Sequence, residues 1–199
     1  MQVRQLQTEE IKEVYEQHLK ETFPEAELKP FWKIQEAICL GVYQCYGLFK
    51  RNHLLSYAFF MSEQKKDGAL LLDYFASLPQ YRNQGYGSIF LQKLDSVFEG
   101  QNIFAEVEAP ESACPAARDL CKHRIAFYQR NDFADTGIHC KFYGVHYKIL
   151  LKTSKIISEL YAKELLHFYE RMYHKRFPRS KLRFWKQRKR RESRYKNDW

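Results

Sequence analysis

The sequence contains little glycine or proline, and it has no long apolar run. Glycine accounts for 8 and proline for 6 of the 199 residues, which excludes collagen-like and low-complexity chains. No uncharged apolar run approaches about 18 residues, so we expect no transmembrane helix. The N-terminus lacks a basic segment followed by an apolar block, so we expect no secretory signal peptide. Hydrophobic residues make up 45% of the chain, enough to bury the core of one domain.

The sequence also lacks the cysteine pattern of a disulfide framework. Its 5 cysteines are an odd number, and no two of them are spaced C-x-x-C. They are Cys39, Cys45, Cys114, Cys121 and Cys140. Neither Cys121 with His123 nor His139 with Cys140 has the ligand spacing of a structural zinc site. The sequence therefore predicts free thiols, no metal site and a cytoplasmic location.

Acidic residues are scarce only near the C-terminal end. The net charge is +9; residues 1–173 carry 21 Lys and Arg against 22 Asp and Glu, and residues 174–199 carry 12 against 2. We therefore distinguish a nearly neutral body from a basic tail at 178–199. Phe184 and Trp185 stand among the cations of the tail, a composition that suits a polyanion such as nucleic acid or an anionic membrane surface. It equally suits a solvated terminus, and we expect no membrane insertion.

Hydrophobic periodicity predicts an α/β chain with a mixed sheet, of the α+β kind. Helices are predicted at 9–23 (with Thr8 as N-cap), 31–40, 86–99, 116–131 and within 151–177. Strands are predicted around Val3 to Leu6, at 43–50, 53–62, 69–78 and 102–109, and as a pair within 133–150 joined near Gly144. We assign no strand after residue 150, and we expect the helix in 151–177 to pack on the domain formed by 1–150.

The segment 71–88 carries the strongest chemical signal. An apolar strand leads into a loop with Gly85 and Gly87, and the loop opens a helix. A helix N-terminus offers free N–H donors and a partial positive charge, and glycines let a phosphate approach the backbone closely. Arg82 adds a positive charge. The pattern is neither a P-loop nor a dinucleotide fingerprint, and it indicates a pyrophosphate cradle, or else only a tight turn.

The motifs of residues 1–150 resemble those of the GCN5-related N-acetyltransferase (GNAT) superfamily. Arg82-Asn-Gln-Gly85-Tyr-Gly87 resembles its acetyl-CoA pyrophosphate loop, and Arg124-Ile-Ala-Phe-Tyr128-Gln-Arg-Asn-Asp-Phe133 resembles its second signature. Glu106-Val-Glu108-Ala-Pro resembles the fifth strand of many bacterial members. Asn83 and Asp132 stand where glycine is common. Asparagine tolerates a left-handed backbone well, whereas Asp132 predicts a strained or altered turn.

The resemblance implies a GNAT fold whose sheet splays between strands 69–78 and 102–109. The co-substrate would be acetyl-CoA, with no metal. Its pantetheine arm would enter the splay and pair with the strand, while its pyrophosphate would bind the loop. The residues so implied are Phe75, Ala76, Ser77, Leu78, Arg82, Asn83, Gln84, Gly85, Tyr86, Gly87 and Ser88.

The resemblance also implies catalytic roles, each with a structural alternative. Tyr128 would protonate the leaving thiolate, or it is simply a core tyrosine. Glu106 and Glu108 alternate onto one strand face, and Asp73 could approach them, so one of these carboxylates could hold the amine or drain its proton. Alternatively, Glu106 forms an ion pair with a residue such as Arg124. The choice of base stays open.

These observations predict an acetyl-CoA-dependent N-acetyltransferase acting on an amine of a small molecule, a peptide or a protein. One alternative is a non-catalytic acyl-CoA-binding module with an anion-binding tail, and another is an interaction protein that dimerises through residues 155–176. The sequence leaves open whether the protein is a monomer or a homodimer. It does not name the acceptor, because acceptor loops, here about 20–35 and 109–117, vary freely on one fold.

Overall fold

The computed structural model describes residues 1–62, 69–142, 144–153 and 182–186, and the isolated positions 163, 166, 167 and 170. The described strands form one mixed sheet of eight strands in the order β1-β2-β3-β4-β5-β7-β6-β8. They are β1 Gln2–Gln5, β2 Tyr43–Lys50, β3 His53–Met61, β4 Ala69–Ser77, β5 Asn102–Glu108, β6 Phe133–Phe142, β7 Val145–Lys152 and β8 Leu182–Lys186.

Helices cover both faces of this sheet. They are α1 Thr8–Val14, continued by a π-helical turn at Tyr15–Leu19 and by α2 Lys20–Thr22, then α3 Phe31–Cys39, α4 Tyr86–Val97 and α5 Arg118–Gln129. One core lies under α1 and α3 and includes Leu19, Ile34 and Phe59. The other lies under α4 and α5 and includes Phe90 and Leu94. Among the described residues, no helix is long and apolar enough to cross a membrane.

The sheet parts between β4 and β5, as the sequence analysis expects. These parallel strands pair only from Ala69–Leu72 to Asn102–Ala105, although each continues for several residues further. A β-bulge lies where they separate, since Tyr74 opposes Phe59 while Leu72 opposes Phe60, and Asp73 is the extra residue. A bulge bends a strand and re-aims its side chains. The result is that β4 and β5 diverge beyond Leu72 and Ala105, which leaves an opening between them.

The predicted elements of 1–150 are confirmed, with small shifts at their ends. One local prediction is wrong: Thr8 is the first residue of α1, and Gln7 is its N-cap. The Gln7 backbone N–H donates to the Glu10 carboxylate at 2.9 Å. Glu10, three residues after the cap, thus accepts a hydrogen bond from the cap's own backbone N–H, as in a capping box.

A second correction concerns the C-terminal segment, where a strand was not expected. Strand β8 pairs antiparallel with β6, from Ile138 opposite Lys186 to Phe142 opposite Leu182. Its cationic residues hide the two-residue apolar alternation on which strand prediction depends. The predicted helix within 151–177 and the rest of the tail lie largely outside the described residues, so the proposed domain division stays a prediction.

Candidate active site

Alternate residues of β4 direct their backbone N–H and C=O groups toward the opening between β4 and β5. The Leu78 backbone N–H donates to the Leu55 carbonyl of β3 at 2.9 Å. Backbone groups point alternately to either side along a strand, so Ala76 also faces β3, while Phe75 and Ser77 face the opening. Of the four residues that the resemblance implies, Phe75 and Ser77 therefore offer backbone groups to a bound chain.

The loop before α4 has the conformation of an anion cradle. Gly85 is the N-cap of α4 in the left-handed region, at φ +79°, with no side-chain cap. The first N–H groups of a helix have no acceptor within it, so those of Tyr86, Gly87 and Ser88 point outward from this end. Arg82 is exposed in the loop that leads to this helix end, and its Nε donates to the Ser77 carbonyl at 3.3 Å. A phosphate here would meet both N–H donors and a fixed positive charge.

Asn83 and Gln84 maintain the conformation of the loop, and Asp132 adopts a similar left-handed conformation after α5. Asn83 adopts φ +59°, so asparagine supplies the left-handed turn where glycine is common, as expected. Asp132 adopts φ +68° after α5, a conformation that aspartate tolerates less well than glycine. The Gln84 side chain donates from Nε2 to the Gln80 carbonyl at 2.9 Å. Gln84 therefore braces the loop.

Gly85 and Gly87 are each required to be glycine for a different structural reason. A Cβ on Gly85 would meet nothing within 4 Å, so this residue is required by its positive φ. A Cβ on Gly87 would lie 3.2 Å from the Phe127 ring. Gly87 therefore allows α4 to approach α5 closely. This is a packing role that the sequence interpretation, based on phosphate access alone, did not include.

Helix α5 covers the same side of the opening and carries Tyr128. The Phe127 ring stacks on Phe75 of β4 with centroids 5.9 Å apart, and the Tyr128 ring packs edge-on against Phe133 at 5.0 Å. Burial raises the pKa of Tyr128 to about 12, and the positive charge of Arg124 opposes that shift. The tyrosine therefore keeps its proton at neutral pH.

Carboxylates gather around Tyr147 of β7, where Cys121 and Arg124 of α5 also approach them. Burial raises the pKa of Tyr147 on β7, and the charges of Glu27, Glu106 and Glu108 raise it further. Burial also raises the pKa of Glu27; Arg124 opposes this, and Glu108 adds to it. The Cys121 thiol lies 3.8 Å from Glu108 Oε2, and the Cys140 thiol 3.9 Å from Glu106 Oε1. We call Glu27, Glu106, Glu108 and Tyr147 the acidic cluster.

Asp73 does not join the acidic cluster, because its carboxylate is already paired. Its Oδ1 accepts a hydrogen bond from Lys29 Nζ at 2.6 Å, its Oδ2 accepts one from the Tyr43 hydroxyl, and its side chain is only 6% exposed. The neighbouring Tyr74 hydroxyl accepts from the Lys29 N–H and donates to the Glu27 carbonyl. Asp73 and Tyr74 thus fasten the 25–29 segment over β4, which places Glu27 beside Glu108.

Sequence reasoning identified Glu106 and Glu108 but missed Glu27, Lys29 and Tyr147. Glu27 and Lys29 stand in the segment 20–35 that was expected to shape the acceptor site, yet no spacing rule connects them to β4. Their contacts depend on the bulge at Asp73, which turns two consecutive side chains toward one segment. Tyr147 pairs with Glu108 across β5 and β7, which requires the strand order.

Comparison with solved structures identifies the fold. A protein from Bacteroides thetaiotaomicron assigned to the GNAT family of acetyltransferases matches with a TM-score of 0.65 and 20% identity, over 87% of this chain and 98% of that one. The ribosomal-protein-S18-alanine N-acetyltransferase of Escherichia coli matches with a TM-score of 0.53 and 19% identity, over 79% and 96%. A spermidine N-acetyltransferase chimera built from the Vibrio cholerae enzyme and hSSAT matches with a TM-score of 0.59 and 12% identity, over 77% and 96%.

The chain therefore has the fold of the GNAT superfamily. No protein-family model matches the sequence, and no curated protein matches it either. Identities this low identify the fold alone, so the activity has to be argued from the site.

Proposed function

We propose that the protein is an acetyl-CoA-dependent N-acetyltransferase whose acceptor is a cationic amine. The observation that carries this proposal is the opening between β4 and β5, with an anion cradle on one face of the sheet and the acidic cluster on the other. Two substrates could enter from opposite faces and meet between the parted strands. Structural neighbours that acetylate spermidine and a ribosomal protein support acetyl transfer on this fold.

The coenzyme would bind on the α4 and α5 face. Its pyrophosphate would accept hydrogen bonds from the first N–H groups of α4 and face Arg82, and its pantetheine arm would pair with the backbone of Phe75 and Ser77. When the amine nitrogen attacks the acetyl carbonyl, the Phe75 N–H, which faces the opening, would donate a hydrogen bond to the developing oxyanion. The C–S bond then breaks, and Tyr128 donates its proton to the leaving thiolate.

The acidic cluster would receive the acceptor. Three carboxylates near Tyr147 attract a protonated amine and favour one with more than one positive charge. The attacking nitrogen must lose a proton, which Glu106 or Glu108 can accept directly or through water. Arg124 partly neutralises Glu27, so we assign amine binding chiefly to the pair on β5.

Thiol release from acetyl-CoA with a panel of amines tests this function. We expect turnover with polyamines or basic peptides, and weaker turnover with amines that carry one charge. Glu108→Gln should raise KM for the preferred amine, while Glu99→Gln, at the exposed end of α4, should leave KM unchanged. Acetyl-CoA binding without thiol release for any amine would support the alternative of a non-catalytic acyl-CoA-binding module.

A further inference from the structure

Two histidines and a glutamate lie close together near the turn of the β6–β7 hairpin. Their possible ligand atoms, one each from Glu111, His139 and His146, all lie within 4.8 Å of one another. His139 Nδ1 and His146 Nε2 are only 2.8 Å apart. His139 is buried, His146 is half-buried and Glu111 is exposed. We call these three residues the histidine cluster.

The surrounding structure holds both imidazoles in place. The Ser112 hydroxyl lies 2.7 Å from His146 Nδ1, and the Ala109 N–H donates to the His146 carbonyl at 2.8 Å. From β8, the Trp185 ring lies over both imidazoles, with centroids 5.6 Å from His139 and 4.8 Å from His146. Two segments that are distant in sequence, 109–112 and β8, therefore pack against the hairpin that carries the two rings.

The histidine cluster is separate from the acidic cluster. His146 directly precedes Tyr147 on β7, and consecutive side chains of a strand point to opposite faces of the sheet. Tyr147 faces the acidic cluster, so His146 faces the other side. A ligand at the histidine cluster would not compete with an acceptor amine.

We propose that the histidine cluster binds a divalent first-row transition metal, with zinc as the best fit. Two imidazole nitrogens and one carboxylate oxygen are zinc ligands, at about 2.0–2.2 Å from the ion. In tetrahedral geometry such atoms lie roughly 3.3 Å apart, so the two nitrogens separate by about half an ångström and the exposed Glu111 closes in. Three protein ligands leave a fourth position for water or another small ligand.

The contact with Ser112 favours the tautomer of His146 that metal binding requires. A His146 ring that donates from Nδ1 to Ser112 leaves the Nε2 lone pair directed at the cluster, which is the usual way a neighbouring group fixes a metal-binding histidine. The hydrogen bond between the rings then needs its proton on His139 Nδ1 in the metal-free protein. On binding, that proton moves to Nε2, His139 Nδ1 becomes a ligand, and the ion replaces the hydrogen bond between the rings.

Metal binding by the purified full-length chain, stripped with a chelator, tests the proposal. Calorimetry should show one zinc ion bound per chain. The same site loaded with cobalt should show visible absorption without the near-ultraviolet band that a thiolate ligand gives. Glu111→Gln, an exposed change that leaves the fold intact, and His146→Gln should each abolish or severely weaken binding. Ser112→Ala should weaken it by roughly 10–100-fold.

Two matched variants make the result specific. His53→Gln, at the exposed start of β3, should leave zinc affinity unchanged. Trp185→Phe should retain binding but lose the part of the tryptophan fluorescence that cobalt quenches. The proposal is overturned if the stripped protein binds no zinc, or if Glu111→Gln and His146→Gln bind it as tightly as the parent. A thiolate band that disappears in Cys114→Ser would also overturn it, because it would assign the metal to a surface cysteine.

Discussion

Asp73 lies at the bulge of β4, and its partners give it a positioning role. Its carboxylate holds Lys29 and Tyr43 while only 6% of its side chain is exposed. A carboxylate engaged by two donors is poorly placed to take a proton from an amine. We therefore assign it to fixing the 25–29 segment over the opening, and we leave the proton to Glu106 or Glu108.

Asp73→Asn should destabilise the protein by roughly 1–3 kcal/mol, because it leaves the half-buried Lys29 ammonium without its charged partner. Urea denaturation measures the change. The matched control is Asp119→Asn, which breaks an exposed ion pair with Lys122, where the Asp119 and Lys122 side chains are 81% and 59% exposed. Exposed pairs contribute about 0–1 kcal/mol. Equal losses of unfolding free energy in the two variants would show that the Asp73–Lys29 ion pair stabilises the protein no more than an exposed pair does.

Tyr128→Phe tests the proposed acid. General acid assistance is worth about 10²–10⁴-fold in rate, so kcat should fall by that order while acetyl-CoA affinity stays nearly constant. Because burial raises the pKa of Tyr128 to about 12, it stays protonated below that pH and should cause no loss of activity on the alkaline side before then. Tyr46→Phe, on β2, is the control. An unchanged kcat, with chemistry rate-limiting, would reduce Tyr128 to a packing residue.

At the scale of elements, we propose that the loop and α4 act together as one anion-binding unit. Arg82→Gln should weaken acetyl-CoA binding by roughly 10–100-fold, as expected for loss of one hydrogen bond to a charged group. Arg130→Gln, at the exposed end of α5, should have no such effect. Calorimetry with acetyl-CoA measures both. Gly87→Val would be a poorer test, because its side chain would also press on Phe127.

The same elements show how far sequence reasoning reached. Arg82, Gly85 and Tyr128 could be predicted as candidate site residues from the sequence, because they stand in local motifs placed between a strand and a helix, or on a helix. Asp73, Lys29 and the histidine cluster could not, because their contacts depend on a bulge or on strand pairing between distant segments. Strand β8 was missed because it gains its stability from pairing with β6, which a basic and weakly alternating sequence does not reveal.

At the scale of the whole molecule, β8 changes the expectation for the C-terminal segment. A stop after Phe177 removes the edge strand, exposes the backbone of β6 and uncovers His139 beneath Trp185, so we expect a lower Tm than the parent. A stop after Lys186 retains β8 and should melt close to the parent. Thermal unfolding of both truncations is the measurement. Equal Tm values for the two would show that 182–186 contributes nothing to the stability of the protein.

The two faces of the sheet divide the proposed reaction between them. The cationic loop and Tyr128 lie with α4 and α5, and the acidic cluster lies on the opposite face, with the parted strands between them. In the proposed reaction, the anionic coenzyme and the cationic amine would approach the parted strands from these two faces. The near-neutral charge of residues 1–173 therefore conceals two local fields of opposite sign.

Backbone hydrogen exchange with and without acetyl-CoA tests the central claim most directly, because it locates the coenzyme without depending on the acceptor. The account predicts slower exchange in peptides that contain Phe75 and Ser77 of β4 and the first turn of α4 from Tyr86 to Ser88. It predicts little change in β1 and β2, at the distant edge of the sheet. Saturating coenzyme that protects neither β4 nor the start of α4, or that protects another surface instead, would contradict the account.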